Sequence, residues 1–127
     1  WLATHLDGRL AYVGGTPGGH VQVQTNLQLL VNAVDLKMDV QQAVEAPRWQ
    51  HLSTAGALSN EETGDGILEI ENRVDESIVL ALQERGHQVR LIGPWAHGSA
   101  AQLMQVLPDG AYAFGSDPRC DGQAAGI

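Results

Sequence analysis

The spacing of apolar positions changes repeatedly along the chain, and each change marks an element. Short apolar-rich stretches over 2–6 and 10–14 flank Asp7-Gly8, a pair that tolerates the positive φ of a tight turn. Two strands joined as a hairpin are therefore expected. Gly14-Gly15-Thr16-Pro17-Gly18-Gly19 follows, a run that no regular element accommodates. Beyond it Val23, Leu27, Leu30 and Val34 recur at helical spacing, which predicts a helix over 21–36. Its other face carries Gln22, Gln24, Thr25, Asn26, Gln28 and Asn32, and no charge occurs between Gly19 and Asp35. A solvent-facing helix usually carries Lys and Glu, so this one is expected to be covered on both sides, by a second layer or by a partner chain.

Asp39 and Gln42 have the spacing of a capping box, which starts a second helix, and Pro47 ends it. The stretch 53–66 is rich in Gly, Ser, Thr and acids and reads as a loop. Ile67-Leu68-Glu69-Ile70-Glu71 alternates as a strand does, with Glu69 and Glu71 on its wet face. Asp75 caps a third helix that reaches Arg85, and Gly86 stands where a left-handed C-terminal cap belongs. Strands are expected over 87–92, 100–107 and 111–115, the last two joined by the Pro108-Asp109-Gly110 turn, with an irregular tail from Asp117. Central helices between terminal strands predict a layered α/β or α+β domain over 1–127.

Composition narrows the function classes. The 127 residues suffice for a domain with a core, and 43% of them are hydrophobic. The net charge is −8, with only 7 Lys and Arg, so no basic face is available for nucleic acid or for an anionic membrane surface. The single cysteine, Cys120, permits no internal disulfide, and there is no cysteine cluster for zinc. No apolar run reaches membrane-spanning length, and Trp1 to His5 lack the charged and apolar regions of a signal peptide.

The candidate chemistry lies in Thr16-Pro17-Gly18-Gly19. Pro17 fixes its own φ, and Gly18 and Gly19 let a substrate carbonyl approach the backbone closely. Both glycines keep an N–H just ahead of a helix, where free amides and the positive end of the dipole lie. Two such amides suit the oxyanion of a tetrahedral intermediate. By itself the stretch also reads as a plain turn into a helix.

The surrounding residues add a resemblance. Gly15-Thr16-Pro17-Gly18-Gly19, followed by Gln22, Gln24, Thr25, Leu27, Gln28, Leu30, Asn32 and Asp35, resembles the Gly-[Ser/Thr]-Pro-Gly-Gly loop and following helix of γ-glutamyltranspeptidases. Met38, Ala43-Val44-Glu45-Ala46-Pro47-Arg48, Arg85-Gly86-His87, and Asp117-Pro118-Arg119 with Asp121-Gly122 and Ala124-Ala125-Gly126 are similar to that family's later segments, in the family's order. The resemblance implies the C-terminal part of a four-layer αββα N-terminal-nucleophile hydrolase sandwich. It implies a precursor that cleaves itself into a large and a small chain. The new N-terminal Thr of the small chain attacks a γ-glutamyl amide such as glutathione, and water or an amino acid takes up the acyl group.

On that reading Gly18 and Gly19 supply oxyanion-hole amides, and a Cβ at Gly19 is expected to crowd both the helix start and the substrate. The Thr nucleophile and the serines that hold the substrate carboxylate belong to sequence before Trp1, so this chain alone is expected to be inactive. Its partners are the remainder of the small chain and the large chain, and self-association is the expected substitute when these are absent. No cofactor is implied. Thr4-His5 resembles the Thr-Thr-His of the family's cleavage site, but it lies too close to Gly18 and belongs to the strand leading into the loop. His20 departs from the Asp or Ser usual after the glycines, and Val23 from a frequent Pro, which bears on substrate preference. His20 is either a substrate contact or a surface residue. A related acylase acting on β-lactams, or a non-catalytic domain of the same fold, remains as an alternative.

The other reactive residue types carry weaker signals. His5, His20, His51, His87 and His97 lack metal-ligand spacing, so no metal site is expected. Arg48 and Arg119 each follow a proline, and a buried ion pair with Glu45 or Asp117 is their expected use. Cys120 has no base near it in sequence, which argues against a catalytic thiol.

Overall fold

A computed structural model of the chain describes residues 1–52 and 66–123, apart from the side chain of His20. The loop expected over 53–66 therefore falls almost wholly outside the described residues, as does the Ala124-Ala125-Gly126 motif. The chain divides into two compact units, one built from Trp1–Ala46 and Gly98–Ile127, the other from Pro47–His97.

The first unit is organised by a four-stranded antiparallel sheet in the order β1-β2-β6-β7, formed by Leu2–Thr4, Leu10–Gly15, Gln102–Val106 and Tyr112–Ser116. Both predicted turns are present. Gly8 (φ 85°) and Gly110 (φ 87°) take the positive φ at the two hairpin tips, and the amide of each donates back across its turn, to the carbonyls of His5 and Leu107. Thr4 ends β1 and His5 lies just beyond it, so the pair precedes the hairpin turn and does not belong to β2, the strand that leads into the loop.

The predicted long helix is segmented. A 3₁₀ turn over Gly19–Val21 leads into α1, Gln22–Leu30, which continues as a π-helical turn over Val31–Asp35. The face turned to the core carries Val21, Thr25, Leu29 and Ala33, all less than 9% exposed. Val23, Leu27 and Leu30 point the other way and are 77%, 54% and 38% exposed. The apolar repeat thus located the helix but marked its outer face. The inner row is built of small and β-branched side chains and one leucine, which permits close packing.

Helix α2, Val40–Glu45, begins in the predicted capping box. The Gln42 amide donates to Asp39 Oδ1 at 2.8 Å, and the Asp39 amide donates to Gln42 Oε1 at 3.1 Å. Leu29, Ala33, Val40, Ala43, Val44, Ala101 and Leu103 form the core of this unit.

The second unit holds a three-stranded sheet in the order β3-β4-β5, with β3 at Trp49–Leu52, β4 at Ile67–Glu71 and β5 at Gln88–Ile92. β3 pairs antiparallel with β4, and β4 pairs parallel with β5 across helix α3, Glu76–Glu84. Strand β3 was not predicted, because so short a run after Pro47 carries little pattern and its pairing partner lies beyond a long connection. Asp75 caps α3 as expected, and Gly86 (φ 89°) closes it, with the amides of Gly86 and His87 returning to the carbonyls of Gln83 and Leu82.

Glu71 corrects the alternation argument. Its side chain is fully buried, not wet. It stands at the end of β4, where the amides of Arg48 and His97 and the Arg73 guanidinium all donate to its carboxylate, at 3.1, 3.3 and 2.7 Å. Convergent donors replace the water that burial removes. Glu69 is only partly exposed, its carboxylate taken up by Gln50 and Arg90.

Candidate active-site loop

The loop between β2 and α1 is anchored at its entry. Gly14, the penultimate residue of β2, lies against the indole of Trp1, and a Cβ there would come within 2.5 Å of that ring. The same indole donates from Nε1 to Asn26 Oδ1 on α1 at 2.9 Å, so one side chain ties the strand to the helix across the loop.

Gly18 (φ 124°, ψ 21°) and Gly19 (φ 56°) both hold positive φ, which side-chain-bearing residues adopt only with strain. Both are exposed. Among the described residues no acceptor meets either amide, as befits groups at the start of a helical segment. The Gly18 carbonyl accepts from the Val21 amide at 3.3 Å and so begins the helical bonding. The two glycines differ in surroundings. A Cβ on Gly18 would meet Val21 Cγ2 at 3.0 Å and Ser99 Oγ at 3.3 Å. A Cβ on Gly19 would meet nothing within 4 Å, so crowding of the helix start there is not found. At φ 56° that Cβ position points into open space, and the restriction at Gly19 is conformational.

Beneath the loop lies Ser99, 1% exposed, whose hydroxyl donates to the Pro17 carbonyl at 2.9 Å. Sequence reasoning missed it, since its partner stands 82 residues away. In the same unit, the ion pair expected for Arg119 is present with Asp117 at 3.0 Å, both side chains almost fully buried. Arg119 also donates to the carbonyls of Val44 and Ala46, closing the C-terminal end of α2. Gln41 reinforces the link by bonding both the amide and the carbonyl of Ser116, each at 3.0 Å.

The remaining candidates are dispersed. His5, His51 and His87 are exposed, and His97 is buried in the second unit. Arg48 is buried there as well, with its backbone paired to Glu71 in both directions. Cys120 is exposed, and its thiol donates to the Asp117 carbonyl at 3.5 Å.

Comparison with known proteins places the chain in a family. The family described as Gamma-glutamyltranspeptidase matches residues 1–127. A glutathione hydrolase-like YwrD proenzyme of Bacillus subtilis is 36% identical over 115 residues, covering 89% of this chain and 21% of the relative. An acylase ACY 1 proenzyme of Pseudomonas sp. (strain V22) is 36% identical over 122 residues, covering 95% of this chain and 19% of the relative. The chain thus spans about a fifth of the length of these relatives, both of which are proenzymes. A γ-glutamyltranspeptidase from Pseudomonas nitroreducens, solved in complex with L-DON, superposes with a TM-score of 0.76 at 23% identity, over 100% of this chain and 60% of that one. The mixed α+β fold is therefore that of a γ-glutamyltranspeptidase chain in part. With the whole of its length matched by the family pattern, the chain belongs to the γ-glutamyltranspeptidase family.

Proposed function

We propose that residues 1–127 are the C-terminal part of the catalytic domain of a self-processing enzyme that cleaves γ-glutamyl amides, glutathione among them, and that Gly18 and Gly19 form its oxyanion hole. The observation that carries this is the pair of exposed positive-φ glycines whose amides lack a protein acceptor among the described residues. In the proposed reaction a Thr supplied by the rest of the small chain adds its oxygen to the γ-carbonyl carbon. Negative charge gathers on the carbonyl oxygen, where the two amides stabilise it. The C–N bond then breaks, the nitrogen leaves with a proton, and an acyl-Thr ester remains. Water or an amino acid attacks that ester and restores the hydroxyl. His20 flanks the glycines and is proposed to meet the substrate. The large chain completes the site.

The test is Gly19→Val in the complete, matured protein. A β-branched side chain at φ 56° should displace the amide. The expected result is a kcat lower by about 10²–10³, the typical effect of losing one such donor. KM should change less, because the hole acts on the transition state. Self-cleavage is followed separately on a denaturing gel. A matured variant with the parent's kcat would reduce the loop to a turn.

The acylase relative favours a second reading, in which the acyl group comes from another amide. Parallel assays with a γ-glutamyl anilide and a β-lactam side-chain amide decide between them. Both readings use the same loop.

A further inference from the structure

The Pro17–Gly18 peptide is the part of the loop whose orientation matters most, since its N–H is one of the two proposed oxyanion donors. Its torsional freedom is unusual. Proline fixes φ on one side, but ψ of Pro17 stays free, and on the other side Gly18 has no Cβ to restrict φ. A peptide flanked in this way can swing about its Cα–Cα axis unless something holds it. A planar trans peptide points its carbonyl oxygen and its N–H in opposite directions, and no cis peptide occurs among the described residues. Whatever fixes the Pro17 carbonyl therefore aims the Gly18 amide.

Ser99 meets that requirement. Its hydroxyl donates to the Pro17 carbonyl at 2.9 Å, and it is 1% exposed, so water competes little for the bond. Its Oγ and Cβ lie 3.3 and 3.4 Å from where a Gly18 Cβ would stand, which places the serine directly under the peptide. The support beneath it is firm. Two residues on, the Ala101 carbonyl accepts from the Asp117 amide at 3.1 Å, and Ala101 belongs to the core. The next bond along the loop, from the Val21 amide to the Gly18 carbonyl, is long at 3.3 Å and acts on the following peptide.

We infer that Ser99 is a positioning residue for the oxyanion hole: it holds the Pro17 carbonyl so that the Gly18 N–H faces the developing charge. The inference rests on the oxyanion role of the loop. The experiment compares Ser99→Ala, Ser99→Cys and Gly19→Val in the complete, matured protein. Alanine removes the bond with little change in bulk, and cysteine fills the space but is a weak donor. Both Ser99 variants should lower kcat about ten- to a hundredfold, less than full loss of a donor, with KM and the thermal midpoint close to the parent's. A Ser99→Cys enzyme with the parent's kcat would show that bulk alone matters and overturn the assignment. Parental kcat in Ser99→Ala would overturn it as well. Failure of both variants to mature would also do so, because it would make Ser99 a folding or processing residue. If Gly19→Val loses kcat while the Ser99 variants keep it, only the role of Ser99 falls. If all three keep it, the oxyanion reading falls too.

Discussion

At the scale of single residues, the Arg119–Asp117 pair carries more than its sequence position suggests. Both side chains are nearly inaccessible, and the guanidinium also serves the carbonyls of Val44 and Ala46. Breaking a buried pair from one side leaves an uncompensated charge. Arg119→Met is expected to destabilise the first unit by about 3–5 kcal/mol, measured by urea unfolding. A loss well under about 1 kcal/mol, the range of exposed pairs, would mean that water reaches the site. The pair was legible in sequence because its members are two residues apart with a proline between. Gly18 and Gly19 were singled out by their motif, and their proposed oxyanion role is what the Gly19→Val enzyme tests. Ser99 was not legible, since only folding brings it to Pro17. Glu71 was misread, because strand alternation reports a face and not the donors waiting at the strand's end.

At the scale of elements, capping decided what could be foreseen. Asp39 with Gln42 and Asp75 with Gly86 fixed helix ends that the structure reproduces. Asp75 also predicts a pH response. Hydrogen bonds from the Ser77 hydroxyl and amide hold its carboxyl below the ordinary value of 3.8. A carboxyl depressed by folding contributes stability that is complete above its unfolded pKa and is lost as pH falls through its folded one. The advantage of the parent over Asp75→Ala in thermal midpoint is expected to be full near neutrality and to shrink in acid below about pH 4. An advantage that stays constant into strong acid would assign the cap to geometry alone. Helix α1 shows the limit of periodicity. Its apolar repeat identified a helix but not which side meets the core, because the inner face is made of residues that do not look like a core stripe.

At the scale of the whole molecule, apolar surface remains open. Val23 and Leu27 project from α1, and on the first sheet Val13, Met104 and Phe114 lie side by side across β2, β6 and β7 on one face. Val13 and Phe114 there are 38% and 36% exposed. Patches of this kind mark interaction surfaces. The chain by itself is expected to self-associate as concentration rises, and Val23→Gln with Leu27→Gln should weaken this in sedimentation velocity. A monomer at every concentration would contradict the expectation.

The division into units has a further consequence for the order in which the molecule can form. The first unit is interrupted in sequence by the second, and β6, an inner strand of its sheet, begins only at Gln102. During synthesis the second unit, continuous from Pro47 to His97, has its three described strands before β6 has emerged. Residues 1–46 contain the whole β1–β2 hairpin and helices α1 and α2, but their sheet stays incomplete until β6 and β7 arrive. The loop that bears Gly18 shares that delay, because the serine that steadies it follows His97 in the chain.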